Sequence, residues 1–510
     1  MIIITCRDAL YTYDMYHITK AFFPNEEIQQ QVNPEQELVA KLDHGSSSCF
    51  CVAENEVETI EEKRKKKHYV NQKLYRYLVG VSGHEMAWGI LTGIRPTKMM
   101  MRRLDSGKSK EEALAWMREE YLVSEQKANL SLEIAGREKK LLSQLDYQDG
   151  YSLYVGIPFC PTICSYCSFS SSAIGVWKDR VDSYLDALLK ELSYIGAVSG
   201  EKKLNTIYVG GGTPTTLTPE QLDRLLSHLQ KTFSYEDLKE FTVEAGRPDS
   251  ITREKLEVLR RHPVTRISIN PQSMQQKTLD GIGRFHSVAA VVDAFEMARK
   301  LGFDNINMDL IAGLPGERVA DMEDTLQQIE ALMPDSLTIH SLAIKRAAKM
   351  GQEKSQMTNR KRQQEKQENV QNETVPQIQS DPARTKEEDA ESKSSSLEQM
   401  IDLGEEYARK MGLVPYYLYR QKNIAGNFEN VGYAKVDKAG IYNILIMEEK
   451  QSIIAAGAGA STKIVLPHKV SCGRNGKETN IIRIENVKDI SEYIRRVDEM
   501  IERKGEWLWH

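Results

Sequence analysis

Three cysteines with a distinctive spacing are the clearest chemical signal in the sequence. Cys160, Cys164 and Cys167 form a C-x3-C-x2-C pattern directly after a strand-like run. Cubane 4Fe-4S clusters usually take four cysteine ligands, so a set of three leaves one iron open to bind another molecule. Zinc is the alternative, but zinc usually takes four ligands in paired C-x2-C units. The trio therefore predicts a 4Fe-4S cluster with an open iron.

The same pattern is similar to the cluster motif of radical S-adenosylmethionine (SAM) enzymes, in which an aromatic residue, here Tyr166, precedes the last cysteine. The methionine part of SAM chelates the open iron, so the protein must hold an amino acid, a ribose and an adenine beside the cluster. The reduced cluster then cleaves SAM to methionine and a 5'-deoxyadenosyl radical. The motif predicts the cofactor chemistry, and the substrate depends on the rest of the chain.

Composition limits the class of protein. The chain has 510 residues, 40% of them hydrophobic and 28% charged, as expected for a globular protein of several domains. Its net charge of -5 gives no global attraction to nucleic acid or anionic membranes. No apolar run approaches the roughly 20 residues that span a bilayer, and the start lacks a secretory signal, so we expect a cytoplasmic protein. Seven cysteines, only three of them clustered, suit a reducing compartment.

Strand and helix signals alternate after residue 150. Between the strands lie amphipathic segments such as residues 181–192, whose apolar side chains recur at helical spacing. The alternation predicts an α/β fold with a parallel sheet, either an open doubly wound sheet or a barrel. Polar motifs should then gather at the carboxyl ends of the strands. Strands are predicted at residues 152–157, 206–209, 241–244, 266–269, 305–311 and 336–340.

The segments on either side of this region have different patterns. Residues 1–150 indicate an N-terminal α+β domain of unknown role, with an opening strand and mainly helical stretches over 73–104, broken around 93–96, and over 110–144. Residues 347–397 are a polar insertion, predicted to be disordered or loosely helical. A C-terminal substrate-side domain at 398–510 is predicted to contain an opening helix, strands near 441–447 and 452–456, and a helix over 491–503.

Polar motifs follow several predicted strands. A triple-glycine loop at 210–215 lets the backbone approach a ligand closely, and the spacing and lysine of a phosphate loop are missing from it. Glu244 ends a strand, where it can accept hydrogen bonds from an amine or a ribose, or form a surface ion pair. Asp309 lies inside an apolar strand, so it needs a ligand or an arginine opposite, and Arg284 is the predicted partner.

Together these residues are similar to the oxygen-independent coproporphyrinogen III oxidase (HemN) family. The similarity covers about 151–345, in the family's order and spacing. It rests on residues 153–160, the glycine loop, Glu244, Gln272, the Gly283-Arg284 pair, and residues 309–311 and 313–316. A resemblance to the HemZ branch extends the match across most of the chain, through residues 243–249, 340–346 and 417–423.

The resemblance implies a partial (β/α)6 TIM-like barrel of radical SAM type at 151–346, with an N-terminal α+β domain and a C-terminal α+β cap. The cluster ligands would be Cys160, Cys164 and Cys167. The implied contacts to the cluster-bound SAM are Tyr154, Gly211 and Glu244. Positions that contact a second SAM in that family are matched by Tyr166, Gly212, Thr213, Gln272, Arg284, Asp309 and Ala343.

The implied reaction is oxidative decarboxylation of two propionates of coproporphyrinogen III, which yields protoporphyrinogen IX. It needs a low-potential electron donor such as flavodoxin or ferredoxin, and we expect a monomer that binds neither nucleic acid nor membrane. The implied reaction shows no obvious need for a general acid, which disfavours a catalytic role for His340. Propionates are anionic and need basic partners, for which the candidates are Arg247, Lys345, Arg346, Arg420 and Lys422.

Two positions depart from the decarboxylases of this family. Phe169 stands where those enzymes carry a further cysteine, and Gly156 where they carry a histidine. The segment after Cys167 is more similar to the related heme-chaperone branch, although the C-terminal His-Asn-x-x-Tyr-Trp signature of that branch is absent. A heme-binding protein without decarboxylase activity and a radical SAM enzyme for another substrate therefore stay open as alternatives.

Overall fold

The structure is a computed structural model that describes residues 1–24, 26–45, 49–93, 95–345, 347–353, 356, 382–420, 428–472 and 477–509, with only the backbone described at 382–394, 472 and 477. Two candidates for propionate binding, Arg346 and Lys422, lie outside the described residues, as do residues 357–381 of the predicted insertion. Within the described ranges, none of the helices has the length and apolar character needed to cross a bilayer.

The N-terminal residues fold around a small sheet with the strand order β2-β1-β3-β4. Strand β1 is parallel to β2 and antiparallel to β3. The strands are β1 Ile2–Cys6, β2 Ile28–Val32, β3 Ala40–Asp43 and β4 Cys49–Val52. The helices are α1 Ala9–Phe22, α2 Lys63–Ser82, α3 Pro96–Asp105, α4 Lys110–Tyr121 and α5 Glu125–Leu142. The opening strand and the later helices agree with the sequence prediction, whereas β2, β3 and β4 were not predicted.

A sheet of 11 strands, counted over the described residues, forms the centre of the remaining chain. Its middle is a run of parallel strands that confirms the predicted α/β fold: β5 Gly150–Ile157, β8 Lys203–Gly211, β9 Glu240–Glu244, β10 Arg266–Ser268, β11 Ile306–Ala312 and β12 Ser336–Ser341. The short strands β6 Phe159–Cys160 and β7 Ser172–Ala173 pair separately. The connecting helices are α6 Val181–Val198, α7 Pro219–Thr232, α8 Arg253–Arg261, α9 Gln276–Gly281, α10 Val288–Lys300 and α11 Val319–Leu332.

The C-terminal residues extend this sheet at both edges. At the β12 edge lie β13 Val414–Arg420 and β14 Glu429–Ala434, each antiparallel to its neighbour. At the β5 edge lie β15 Ser452–Ala456, which is parallel to β5, and the antiparallel strands β16 Ser461–Cys472 and β17 Lys477–Glu485. The C-terminal α+β region thus shares one sheet with the parallel strands. Its helices are α12 Pro382–Lys410, α13 Ile441–Glu448, α14 Ile490–Arg495 and α15 Val497–Gly505.

One predicted strand is a helix. A short apolar run such as residues 441–447 fits a buried strand or a buried helix equally well, and here it forms α13. The Glu240 carboxylate on β9 accepts the N–H of Ile441 at 2.5 Å and that of Tyr442 at 3.4 Å. A negative charge at a helix N-terminus satisfies free N–H groups and interacts favourably with the helix dipole. This contact spans 201 positions, so the local pattern could not reveal it.

Apolar side chains hold the parallel strands in place from both faces. Strands β5 and β9 are buried over nearly their whole length, as is usual when helices cover a parallel sheet. Helix α7 begins with a capping box between Thr218 and Gln221. Its buried face consists of Leu222, Leu225, Leu226 and Leu229. Such packing keeps the strand ends at defined positions.

Two glutamates, one on α5 and one on α13, are buried close to each other. Glu138 is fully buried and Glu448 is 1% exposed, and their carboxylate oxygens make no hydrogen bond to the described residues. Burial raises the pKa of Glu138 well above its usual value, and the Glu448 carboxylate raises it further. Burial also raises the pKa of Glu448, which Lys98 and Lys450 partly offset. The pair therefore takes up protons on folding.

We expect the change Glu138→Gln to stabilise the protein increasingly as the pH rises. Glu138 has a higher pKa in the folded state than in the unfolded state, and this difference contributes to stability. The contribution is fully present below about pH 4.5 and is lost as the pH rises through the folded-state pKa of Glu138. Removing a buried, unpartnered carboxylate should raise the free energy of unfolding by about 1–3 kcal/mol. Thermal unfolding of both proteins at about pH 5 and about pH 8 measures the gain.

The matched control for this prediction is Glu133→Gln on the same helix. Glu133 is partly exposed and pairs with Arg137 and Arg409, so the control removes a paired carboxylate. An equal gain at high pH in both variants would contradict the prediction.

Candidate functional site

A cavity of about 330 Å³ opens at the carboxyl ends of the parallel strands. Each successive strand, or the residues just after it, contributes to its wall. Because parallel strands end at the same edge of a sheet, residues far apart in sequence meet there. The prediction that polar motifs gather at this edge is confirmed by Gly211 from β8, Glu244 from β9, Gln272 after β10, Asp309 from β11 and His340 from β12.

The three cysteines of the motif line this cavity together. Cys160 ends β6, and the hydroxyl oxygen of Thr213 lies 3.6 Å from its sulfur. Cys164 is buried, and the Cys167 N–H donates to its carbonyl oxygen at 3.0 Å, which makes the loop a tight turn. Burial raises the pKa of Cys160 and of Cys167. A bound cation such as iron would offset this effect by stabilising the thiolates.

Neighbouring protein atoms explain the glycines of the loop at 210–215. A Cβ at Gly212 would lie 2.5 Å from the Phe159 carbonyl oxygen. The N–H groups of Gly212 and Thr213 donate to the carbonyls of Ile157 and Phe159 at 2.7 Å each. Gly211 has a φ of +105°, which residues with a side chain rarely adopt. The glycine loop is thus hydrogen-bonded directly to the cysteine loop. This close packing requires glycines for a reason different from the predicted close approach of a ligand.

Glu244 faces the cavity from the end of β9. The Tyr208 hydroxyl donates a hydrogen bond to its carboxylate, and the Tyr208 ring stacks on Tyr442 with 4.5 Å between centroids. Burial raises the pKa of Glu244 to about 7, opposed by the Tyr208 hydrogen bond and reinforced by the charge of Asp309. A carboxylate in this position can accept hydrogen bonds from an amino group.

Arg284 is not the partner of Asp309, so that sequence prediction was wrong. Asp309 accepts a hydrogen bond from Asn307 at 2.7 Å and lies 3.7 Å from Nε2 of His340. Burial raises the pKa of Asp309, but His340 and Asn307 outweigh this effect and bring the pKa below its usual value. Arg284 instead donates to a backbone carbonyl after β10 and lies beside Cys164. Both side chains line the cavity.

Gln272 has a backbone conformation that is unusual for a residue with a side chain. Its φ is +69°, in the left-handed region, which costs about 1–2 kcal/mol. Backbone hydrogen bonds of 2.9 Å to Asp309 and from Ile311 hold it against β11. Its side-chain oxygen is buried at the cavity and has no hydrogen-bond partner among the described residues. Backbone strain beside an unpartnered polar group is typical of a ligand contact.

Nearly all residues assigned to SAM from the sequence meet at this one cavity. The exception is Tyr154, which does not line it and stacks with Tyr208 and Tyr442 at centroid distances of 6.2 and 6.4 Å. The assignment of each residue to SAM stays a prediction. The lining residues among them are Tyr166, Gly211, Gly212, Thr213, Glu244, Gln272, Arg284, Asp309 and Ala343.

Sequence reasoning missed an aromatic part of the wall. Tyr417 and Tyr419 of β13 stack with 6.3 Å between centroids and 8° between planes, and both line the cavity. The Tyr419 hydroxyl lies 3.3 Å from Nδ1 of His340. The aromatic run at 416–419 was visible in the sequence, but β13 reaches the cavity only by pairing with β14, which pairs with β12.

Two residues proposed to bind propionates are already held by protein partners, Arg247 at the wall of the cavity and Arg420 away from it. Arg247 is 2% exposed, and Asp249 and the cysteine loop accept its hydrogen bonds. Arg420 does not line the cavity: it donates to a backbone carbonyl at 2.7 Å and lies over the Trp88 ring at 5.2 Å. Sequence reasoning chose them for their charge, which does not reveal their partners. Lys345 is exposed and lines the cavity, so it stays a candidate.

The fold is that of a radical SAM protein. The family model described as the radical SAM superfamily matches residues 154–329. A solved structure of coproporphyrinogen III oxidase (HemN) from Escherichia coli, described as a radical SAM enzyme, is similar in fold. Its TM-score is 0.50 and its identity 19%, over 71% of this chain and 73% of that one. This similarity supports the predicted fold of radical SAM type.

Sequence relatives define the family more narrowly. The oxygen-independent coproporphyrinogen-III oxidase-like protein HemZ of Bacillus subtilis (strain 168) is 41% identical over 457 residues, 88% of this chain and 83% of that protein. The heme chaperone HemW of the same organism is 39% identical over 194 residues, 38% of this chain and 50% of HemW. The oxygen-independent coproporphyrinogen III oxidase of Bradyrhizobium diazoefficiens is 33% identical over 41% of this chain and 46% of that protein. The chain belongs to the HemZ family of oxygen-independent coproporphyrinogen-III oxidase-like proteins.

Membership of this superfamily implies a 4Fe-4S cluster and SAM, and the cavity fits both. In the described part of the chain, no three His, Cys, Asp or Glu side chains converge as they would on a single metal ion. In a cubane, each cysteine binds a different iron, so the thiols need not converge on one point. Polar atoms of Gln272 and Arg284 are buried there without a hydrogen-bond partner among the described residues, as expected where a polar ligand binds. Cys160, Cys164 and Cys167 would hold the cluster.

We expect the affinity of the cluster-loaded protein for SAM to fall about tenfold from about pH 8 to about pH 6. An iron-bound amino group of SAM would keep two N–H donors, and Glu244 accepts hydrogen bonds from them most strongly when it is ionised. With its pKa raised to about 7, Glu244 loses its negative charge across this range. Equilibrium dialysis with labelled SAM measures how the affinity changes with pH. The variant Glu244→Gln should bind more weakly and with a weaker dependence on pH. A dependence as steep as that of the unmodified protein would assign the effect to another group.

Proposed function

We propose that the protein is an oxygen-independent coproporphyrinogen dehydrogenase that converts coproporphyrinogen III to protoporphyrinogen IX. The supporting observation is one cavity that combines the three cysteines with Glu244 and Gln272, in a chain related to HemZ along most of its length. When bound, the reduced cluster and SAM would supply a radical that abstracts a hydrogen from the β-carbon of a substrate propionate. Loss of CO2 and transfer of one electron to an electron acceptor would then leave a vinyl group, and the same steps on a second propionate would complete the conversion.

The residues of the cavity would bind and orient both molecules. Glu244, held by the Tyr208 hydroxyl, offers a carboxylate to the amino group of SAM. The positive charge of Arg284 is available to a carboxylate of SAM, and that of Lys345 to a propionate of the substrate. The stacked rings of Tyr417 and Tyr419 provide an aromatic surface of the kind against which a tetrapyrrole packs. A low-potential donor such as flavodoxin or ferredoxin would supply the electron.

Heme handling without decarboxylation is the second candidate function. It is favoured by the similarity to the heme chaperone HemW across 38% of the chain. It is also favoured by Phe169, which lines the cavity and is 69% exposed, at the position where decarboxylases of the HemN family carry a cysteine. An exposed apolar side chain at a cavity is a typical contact for a hydrophobic ligand.

One anaerobic assay separates these functions. Reconstituted protein with dithionite, SAM and coproporphyrinogen III should release protoporphyrinogen IX and 5'-deoxyadenosine. Stable binding of heme without turnover would favour the chaperone function, and 5'-deoxyadenosine without porphyrinogen conversion would favour another substrate. The variant Lys345→Met should slow porphyrinogen turnover and leave SAM cleavage without substrate unchanged.

A further inference from the structure

A buried arginine contacts the middle cysteine of the trio. Arg247 follows β9 and is 2% exposed, and its Nη1 lies 3.6 Å from the sulfur of Cys164. The same nitrogen donates to the Thr162 carbonyl at 3.3 Å, and Nη2 donates to the Thr162 hydroxyl at 3.1 Å. One guanidinium therefore binds the backbone, a hydroxyl and a thiol of the cysteine loop.

Asp249 fixes this guanidinium from the other side. Its two oxygens accept hydrogen bonds from Nε of Arg247 at 2.9 Å and from Nη2 at 2.6 Å. A bidentate pair of this kind holds an arginine in one geometry, and the Arg247 side chain is only 3% exposed. Because Arg247 and Asp249 together carry no net charge, the direction of the N–H groups towards the sulfur determines their local electrostatic effect.

We propose that Arg247 is a positioning residue that holds the Cys164 thiolate and raises the reduction potential of the cluster. Hydrogen bonds to the sulfurs are one of the factors that set the potential of an iron–sulfur cluster. A donor to a ligand sulfur stabilises the more negative, reduced state and makes reduction easier. The inference rests on the cluster-binding part of the proposed function and is independent of the substrate.

The test is a redox titration of the cluster-loaded protein, followed by electron paramagnetic resonance of the reduced cluster. For Arg247→Met we expect reduction to be about tenfold less favourable, a midpoint about 59 mV lower. Asp249→Asn removes a negative charge beside the same guanidinium, so its midpoint should move in the opposite direction. Arg247→Lys keeps a donor and should recover part of the loss.

Arg253→Met is the matched control. Arg253 is an exposed partner of Glu257 on α8, so its removal tests the loss of one distant positive charge and should leave the midpoint unchanged. If Arg247 had a purely structural role, Arg247→Met and Asp249→Asn would both bind less cluster. Their midpoint potentials would then not shift in opposite directions.

Unchanged midpoints in Arg247→Met and Asp249→Asn at normal iron content would overturn the proposal. If Arg247→Met binds no cluster, the other two variants test the proposal. A higher midpoint in Asp249→Asn and a lower one in Arg247→Lys would support it, and the opposite directions would overturn it. An unmodified protein that binds the cluster but does not convert porphyrinogen would refute the proposed function alone, because the titration needs no substrate.

Discussion

The variant Cys164→Ala, reconstituted anaerobically, should lose the absorbance and paramagnetic signals of a 4Fe-4S cluster and cleave SAM at no more than background rate. Cys164 is buried and lines the cavity with Cys160 and Cys167. A cubane held by two of its three thiolates has one iron fewer bonded to the protein. Iron and sulfide content, the spectra and the release of 5'-deoxyadenosine measure the loss.

Cys49→Ala is the matched control for this change. Cys49 is exposed on β4 of the N-terminal sheet, and its replacement removes a thiol of the same chain without touching the cavity. The control should keep the cluster and the cleavage of SAM. A full cluster signal in Cys164→Ala would show that the cluster is bound elsewhere.

The change Lys504→Met should destabilise the protein by about 3–5 kcal/mol. Lys504 on α15 and Glu191 on α6 are both fully buried, and 2.6 Å separates their charged atoms. Asn486 hydrogen-bonds to both of them. Removing the lysine leaves the Glu191 carboxylate buried with no opposite charge, which costs more than the lost contact itself. The midpoint of urea unfolding measures the change in stability.

A second ion pair between the same two helices provides the control. Lys190 and Asp498 are also 2.6 Å apart, but their side chains are 55% and 78% exposed. Lys190→Met should therefore cost less than about 1 kcal/mol, because water screens an exposed pair. The double variant Glu191→Met with Lys504→Met should be more stable than the sum of the two single changes implies, since it leaves no buried charge. Equal losses in Lys190→Met and Lys504→Met would contradict the prediction.

The elements that could be predicted from sequence are those whose signal is local. The cysteine trio depends on spacing within eight residues, and each parallel strand shows its own apolar run between turn signals. The position of the cavity followed from the general rule for parallel sheets, not from any single residue. Helix α13 escaped prediction because its N-terminus is satisfied by Glu240, 201 positions away.

Residue types and spacings by themselves therefore predicted the three candidate cluster cysteines, the α/β class and the edge of the sheet at which the polar motifs meet. Only the tertiary structure decided the partners and charge states there: His340 instead of Arg284 faces Asp309, Arg247 contacts Cys164, and burial brings the pKa of Glu244 to about 7. The physical reason is that a strand or a motif arises from neighbouring residues. Desolvation, hydrogen bonding and Coulomb interactions depend on distances between side chains that only the packed fold sets.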